Sequence, residues 1–493
     1  MKKFAVLCTL WLASLPSLCQ KPSPGPVSKS PVSITIYDRT RIDAVRWFSA
    51  TPNAAVYGYF ESLLRIGVAQ KRRRSDWQLE LTQPSELALP NNAVSLIPAQ
   101  GQLGLGGTYY AANHNQTNNA AGALKQAFIR LHGSHPGRSL RVGRFEFFDG
   151  QETTPKDKDL LYLQTNRMVA RMVGNFGFSN AQRSFDGVDG HYNGKSWDLT
   201  AMAARADQGV FNMNANPELN VDLQYLAYSK YNLKDHLLWR VFAMDYHDGR
   251  TGLTKTDNRP LAVRQTDHRN IRLGSYGADF RTTLPVGAGK FDLLAWGVLQ
   301  NGNWGVQNHH AGAVAVEGGY HATQIRSAPW LRGGFMRSTG DNNSADDQHN
   351  TFFWVLPTPR TYARFPFYNM MNSQDQFLRW IDMPTKHLDL RGPALSPTHL
   401  KKGSLVSRWR RIRQQGFWLR RSTREPAQQL LFRLRQLSGL SGLSKHRAHR
   451  LLRSRKGQEC RCGDLSRRTL GAVRLRRNDL QMGHAATTDE VAL

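Results

Sequence analysis

Between Cys19 and Cys460 the chain has no cysteine. That excludes a disulfide framework and a cysteine-ligated metal centre in the body of the protein. Runs of about 20 apolar residues are missing too, which excludes a helical membrane bundle. Hydrophobic residues are only 40% of the 493, and the mean hydropathy is −0.52. A transmembrane barrel tolerates such values, because its lipid-facing and lumen-facing residues alternate and average out. Neither a Gly-x-Ser-x-Gly elbow nor a phosphate-binding loop occurs, and no other catalytic signature stands out. An enzyme is not expected, and no cofactor is implied. Acidic groups are outnumbered, 37 Asp and Glu against 66 Lys and Arg, a net charge of +29.

The N-terminus sets the compartment. Lys2 and Lys3 precede an apolar run from Phe4 to Leu15, then Pro16-Ser17-Leu18-Cys19. A short basic end, an apolar core too short to span a bilayer and small residues at the exit make a secretory signal over 1–19. Pro22, Pro24 and Pro26 end any helix at once. A lipoprotein anchor on Cys19 is the alternative, disfavoured by the bulk of Leu18. Residues 20–49 are expected to be a periplasmic segment.

From about residue 50 to 392 the pattern is that of strands. Trp197, Leu199, Ala201 and Ala203 alternate with Asp198 and Thr200; Val221, Leu223, Tyr225 and Ala227 alternate with Asp222 and Gln224. Period two with a polar second face is the strand signature. Further candidates are 55–70, 76–83, 103–113, 125–132, 140–148, 237–247, 271–283, 290–300, 312–322 and 328–337, roughly a dozen in all. Loops alternate between short and long, and Val286-Gly287-Ala288-Gly289-Lys290 suits a tight hairpin. Segments 250–270 and 338–376 are polar and irregular, as surface or lumen-folded loops are. A soluble β-sandwich or propeller is the competing fold, but strands of up to about 13 residues with aromatics near their ends favour the membrane version.

Certain segments resemble the alginate-export type of outer-membrane protein. Val142-Gly143-Arg144-Phe145-Glu146-Phe147, followed by Asp149-Gly150, is similar to the family's Gly-Arg-x-Glu strand. Gln182-Arg183-Ser184-Phe185-Asp186-Gly187-Val188 is similar to its Arg-x-Phe-Asp-Gly-Val strand. Stretches 239–250, 255–260 and 356–372 also look like family members. The resemblance covers about two thirds of the chain and implies a large monomeric antiparallel β-barrel of roughly 16–18 strands. It implies an arginine-lined channel in the bacterial outer membrane.

The charged side chains fit such a channel. An anionic polysaccharide carries a carboxylate on each sugar and sheds water at a constriction. Guanidinium groups replace that hydration with bidentate contacts and keep their charge. Carboxylates nearby hold the arginines and weaken binding, so that the solute is released. The expected substrate pathway comprises Arg144, Glu146, Arg171, Arg183, Asp186, Arg264, Arg360 and Arg364. Glu146 falls on the strand face of Arg144, whereas Asp186 falls nominally opposite Arg183. Each pair has a plain alternative, charge neutralisation inside a packed barrel. His247, His309 and His310 lack metal-ligand spacing, and Asp346-Asp347 suits a solvated loop better than a calcium site. No metal is expected. Lys71-Arg72-Arg73-Arg74 suits a rim that meets anionic headgroups or solute.

Beyond about Gly392 alternation vanishes. Residues 401–493 hold 23 basic and 6 acidic residues, +17 of the +29. Arginine on a lipid face costs about 2–4 kcal/mol near the midplane, so residues 393–493 are not expected to supply ordinary strands, which leaves the barrel incomplete. Out-of-frame translation of a GC-rich gene explains such a tail; a genuine basic tail for nucleic acid or anionic lipid is the alternative. The function expected is a conduit for anionic polysaccharide, alginate-like, or smaller acidic solutes. It would sit in outer-membrane lipid, work with periplasmic export partners and bind no nucleic acid. The competing function is an exported basic β-protein that binds polyanions without forming a pore.

Overall fold

Alternation carries into the wall as expected. The computed structural model describes residues 32–46, 56–93, 103–135, 137–232, 236–358, 370–385, 388–391, 399–400 and 418–421. Its strands are β1 (Val32–Arg46), β2 (Val56–Lys71), β3 (Ser75–Leu87), β4 (Asn119–Ala120), β5 (Ala123–His132), β6 (Arg138–Phe145), β7 (Phe185–Asn193), β8 (Trp197–Asp207), β9 (Glu218–Asn232) and β10 (Leu237–Asp248). After these come β11 (Ile271–Val286), β12 (Gly289–Trp304), β13 (Gln307–His321), β14 (Trp330–Ser338), β15 (Gln348–His349), β16 (Ser373–Thr385), β17 (Leu388–Arg391), β18 (His399–Leu400) and β19 (Trp418–Arg421). Sixteen of them form one antiparallel ladder in chain order, with the two-residue β4, β15 and β18 beside it. This is the antiparallel barrel wall of an outer-membrane protein.

Long connections gather on one rim, which also carries the two-residue β12–β13 turn, and the other rim has none. β2–β3, β7–β8, β11–β12 and β16–β17 are joined by two or three residues, whereas β3–β5, β6–β7, β10–β11 and β14–β16 are joined by more than twenty. Short turns mark the periplasmic side and long loops the exterior. The β11–β12 hairpin is the expected one: Val286 faces Gly289, and Gly287 takes φ +56°, which glycine adopts without strain. On the outer face of the wall, Leu79, Leu81, Ile129, Val188, Phe291, Leu299, Val316 and Leu331 are exposed, the apolar belt that lipid requires.

Three expectations are corrected. Residues 32–46, within the expected periplasmic segment, are a wall strand paired with β2 over its whole length. Its outward Ile34, Ile36 and Ile42 are interrupted by Asp38 and Thr40, which hid the alternation. Residues 103–113 are mostly helix, α1 (Leu105–Ala112), not strand. Gly107 explains its close seat, since a Cβ there would come within 2.2 Å of the Ala93 carbonyl. In the tail, β18 and β19 pair with β16 and β17; its other residues, and with them the remainder of the expectation for 393–493, lie outside the described residues.

Candidate functional site

The 39 residues between β6 and β7, 146–184, do not stay at the external rim. They run through the lumen and back. At the far end, Asp157 caps α2 (Lys158–Leu163) by accepting the amides of Asp159 and Leu160. There Asp157 accepts a bond from Lys290 at 2.6 Å, and Asp159 meets His321 at 3.0 Å. Lys290 opens β12 and His321 closes β13, so this end lies at the short-turn rim. The strap therefore spans the height of the wall.

Ion pairs fasten it on one side. Arg167 forms a fork with Glu317 of β13, with Nε–Oε2 and Nη2–Oε1 both 2.7 Å. Arg171 lies 3.5 Å from the same carboxylate and 4.7 Å from the centre of the Trp296 ring. Arg332 of β14 reaches Glu317 at 3.3 Å and Asp292 at 2.9 Å. Arg240 of β10 sits between Asp279 (2.6 Å) and the strap's Asp149 and Glu152 (3.6 and 3.2 Å). All these guanidiniums are buried, and pairing with carboxylates is what makes their burial tolerable.

The opposite wall holds the returning chain by its carbonyls. Arg39 donates to Gly177 O and Ser179 O at 2.8 and 2.9 Å, and Arg41 to Phe178 O at 2.7 Å. Arg65 donates to Gln182 Oε1 and Glu146 Oε2 at 3.1 and 3.0 Å. Apolar packing joins the two: Phe147, Leu160, Leu163, Met168, Met172 and Val173 form one core with lumen-facing Leu223, Tyr225, Phe242, Leu294 and Trp296. A second inward piece, 351–358, bridges the strap through Val173 and Leu356, and Trp354 Nε1 donates to Arg171 O.

Glu146 occupies the lumen, gripped by Arg65, by Lys125 at 3.3 Å and by Asn175 at 2.8 Å. The Arg65 and Lys125 charges compensate the burial of this carboxylate. Arg171 and Arg183 are inside as well. Arg183 donates to Gly174 O and Leu356 O, both 3.0 Å. It precedes β7 rather than lying on it.

Arg144 and Asp186 are together but elsewhere. They face each other across β6 and β7, with Nε–Oδ1 2.7 Å. Their side is that of Val142 and Val188, which are exposed on the outer face, while Phe145, Phe185, Arg141 and Asp189 point inward. The lumen expectation for this pair is therefore corrected: carbonyls of Leu124 and Asn216 complete the Arg144 shell near the external rim. Alternation makes the lumenal pair Arg141–Asp189 instead, three residues from each. Arg264 lies on α3 (Leu261–Thr266) and donates to the Arg259 and Lys255 carbonyls, which staples the external loop 249–270 and not the lumen. Arg360 and Arg364 lie outside the described residues.

That external loop yields a pH prediction. Asp267 accepts Arg259 at 2.9 Å and Val306 N–H at 3.2 Å, with Lys255 at 3.3 Å. Burial would raise its pKa, but these partners lower it below the ordinary carboxylate value. A depressed carboxylate contributes stability above its unfolded pKa and loses it as pH falls through the folded one. Protease nicking within 249–270 should thus stay slow until strongly acid pH. Asp267→Asn, weakening hydrogen bonds to charged groups by about 1.5–3 kcal/mol, should make the loop cleavable at neutral pH. Equal cleavage of variant and parent at pH 7 would remove Asp267 as the staple.

The chain matches the model of the family described as alginate export over residues 70–392, ending where the alternation ends. Comparison with curated proteins returns no match. Among solved structures, Pseudomonas aeruginosa OccK9 (OpdG) is similar with a TM-score of 0.50 at 10% identity, covering 80% of this chain and 88% of that one. Pseudomonas aeruginosa OccK2 (OpdF) in complex with glucuronate gives 0.45 at 9% identity, with 74% and 81% covered. Pseudomonas putida OprB gives 0.43 at 12%, with 77% and 91% covered. With a matched stretch of well over half its length, on a barrel wall with a lumen-crossing strap, this chain belongs to the alginate export family and is a channel of the bacterial outer membrane.

Proposed function

We propose that the channel passes anionic polysaccharide of the uronate kind, or smaller acidic solutes, from the periplasm outward. The observation that supports this best is the cationic end of the strap at the short-turn rim. Lys156 and Lys158 are exposed there, beside a Lys290 whose charge Asp157 already meets. A polyanion arriving from the periplasm meets this field first, and a low-dielectric mouth focuses it. Further in, lumenal arginines such as Arg141 and Arg65 are already held by Asp189 and by Glu80 and Glu146. Carboxylates of the wall that share these guanidiniums weaken their hold on a solute carboxylate, so that it is released. On this reading Glu146, Arg171 and Arg183 shape the path by fixing the strap.

Reversal potentials in planar bilayers test the reading. Lys156→Glu with Lys158→Glu should move the potential toward cations, and acidic side chains at a helix start leave α2 intact. Arg144→Ala, on the outer face, should leave it unchanged. An unmoved potential in the double variant would remove the lysine mouth as the selectivity element.

A further inference from the structure

The strap is held from all round the wall, and not only from the two sides that carry its ion pairs. Asn180 donates to Ser85 O of β3 at 3.0 Å, and Lys125 of β5 donates to Arg183 O at 3.0 Å. Tyr162 lies against Trp330 of β14 with ring centres 4.7 Å apart, and Arg167 sits 4.9 Å over the Phe377 ring of β16. Strands β7, β8, β9 and β11 join through the shared apolar core. Together with the grips from β1, β2, β10, β12 and β13, these contacts ring the inward chain.

Inside that ring the strap is packed. None of residues 159–184 is exposed. Along α2 and the π-turn Gln164–Met168 that continues it, Leu160, Leu163, Gln164, Arg167 and Met168 are buried. Leu161, Thr165 and Val169, four residues apart and so on one side of the helical turns, are only half-buried. Thr165 and Asn166 spend their polar groups on the Leu161 and Tyr162 carbonyls at 2.8 and 3.1 Å. Water therefore reaches this part of the strap along one narrow, uncharged side.

We infer that the open path is a slot beside α2 that passes single sugar acids and excludes the polymer. A threaded polymer occupies the full height of the wall at once, so the whole strap would have to yield together. Yielding would part Arg167 and Arg171 from Glu317, and a buried charge without its partner is costly. A monomer asks only for side chains to give locally as it moves. The inference rests on the acidic-solute reading for the sign of the charge and adds the limit on size.

Proteoliposomes holding the full-length protein, assayed with labelled glucuronate, glucose and a long oligouronate, test it. Glucuronate should enter at least tenfold faster than the oligouronate, and replacing residues 146–184 by a short turn should admit both. Thr165→Trp narrows the slot, and Trp costs a helix no more than Thr does. It should slow glucuronate severalfold while keeping heat-modifiable mobility. An oligouronate that enters as fast as glucuronate would overturn the size limit and leave the acidic reading standing. Glucose as fast as glucuronate would overturn the acidic reading and leave the size limit standing. Unchanged glucuronate entry in Thr165→Trp would overturn the slot beside α2, and a strapless barrel that still excludes the oligouronate would overturn the strap as the sieve.

Discussion

Glu317→Ala should destabilise the barrel by about 3–5 kcal/mol, because it strands buried cations. Glu317 is the shared acceptor of Arg167, Arg171 and Arg332. Arg332 keeps Asp292 at 2.9 Å, but the forked pair of Arg167 is lost and two strap guanidiniums remain in a low-dielectric interior. The strap should then undock from β13, since its carbonyl contacts on the far wall hold only the returning end. Glu317→Gln keeps the shape and one acceptor, and should cost less. Denaturant unfolding in detergent reads the stability, and single-channel recordings read the strap as added open-state noise. An alanine variant as stable and as quiet as the parent would show that the pair contributes nothing net, the outcome known for some buried ion pairs.

Much of this wall was legible, because strands exposed to lipid on one face repeat every second residue. Trp197, Leu199 and Ala201 face outward as alternation requires, while Asp198 and Thr200 face in. β9 shows the limit. Val221, Leu223, Tyr225 and Ala227 have the same period but face the lumen, and polar Asp222 and Gln224 face out. The inversion has a partner: Phe147 of the strap packs edge-on against Tyr225 with ring centres 5.2 Å apart. Period two states that a residue shares a face with its neighbours, and not which face is wet. A segment that brings its own apolar surface into the lumen reverses the assignment.

The same limit governed the charged pairs. Arg144 and Glu146 are two apart, yet β6 stops at Phe145, so Glu146 turns inward to Arg65 and Lys125 while Arg144 stays outside. Asp186 was set apart from Arg183 by parity, correctly, but its true partner lay on the neighbouring strand at a register no local spacing encodes. The strap itself carried one signal. Residues 146–184 are rich in Phe, Leu, Met and Val for a loop at a membrane rim, and exposed apolar loops of that length need a surface to cover.

Excising the strap should produce the largest functional change. Phe145 and Phe185 are directly paired, the last residue of β6 with the first of β7, so residues 146–184 can be replaced by a short Asn-Gly hairpin turn without shifting register. Every wall strand keeps its neighbours, and the variant should still insert and show heat-modifiable mobility. Its stability should fall, because Leu223, Phe242, Leu294 and Trp296 lose their apolar cover at about 25 cal/mol for each Å² newly wetted. Arg240 loses Asp149 and Glu152 but keeps Asp279, and Glu317 keeps Arg332, so neither is left with a bare charge. Conductance should rise severalfold, since the excised chain is what crosses the lumen from rim to rim. Anion preference should weaken with the removal of Lys156 and Lys158. Single-channel recordings decide it: a strapless barrel that inserts yet conducts no more than the parent would move the constriction to the second inward piece around Val355 and Leu356.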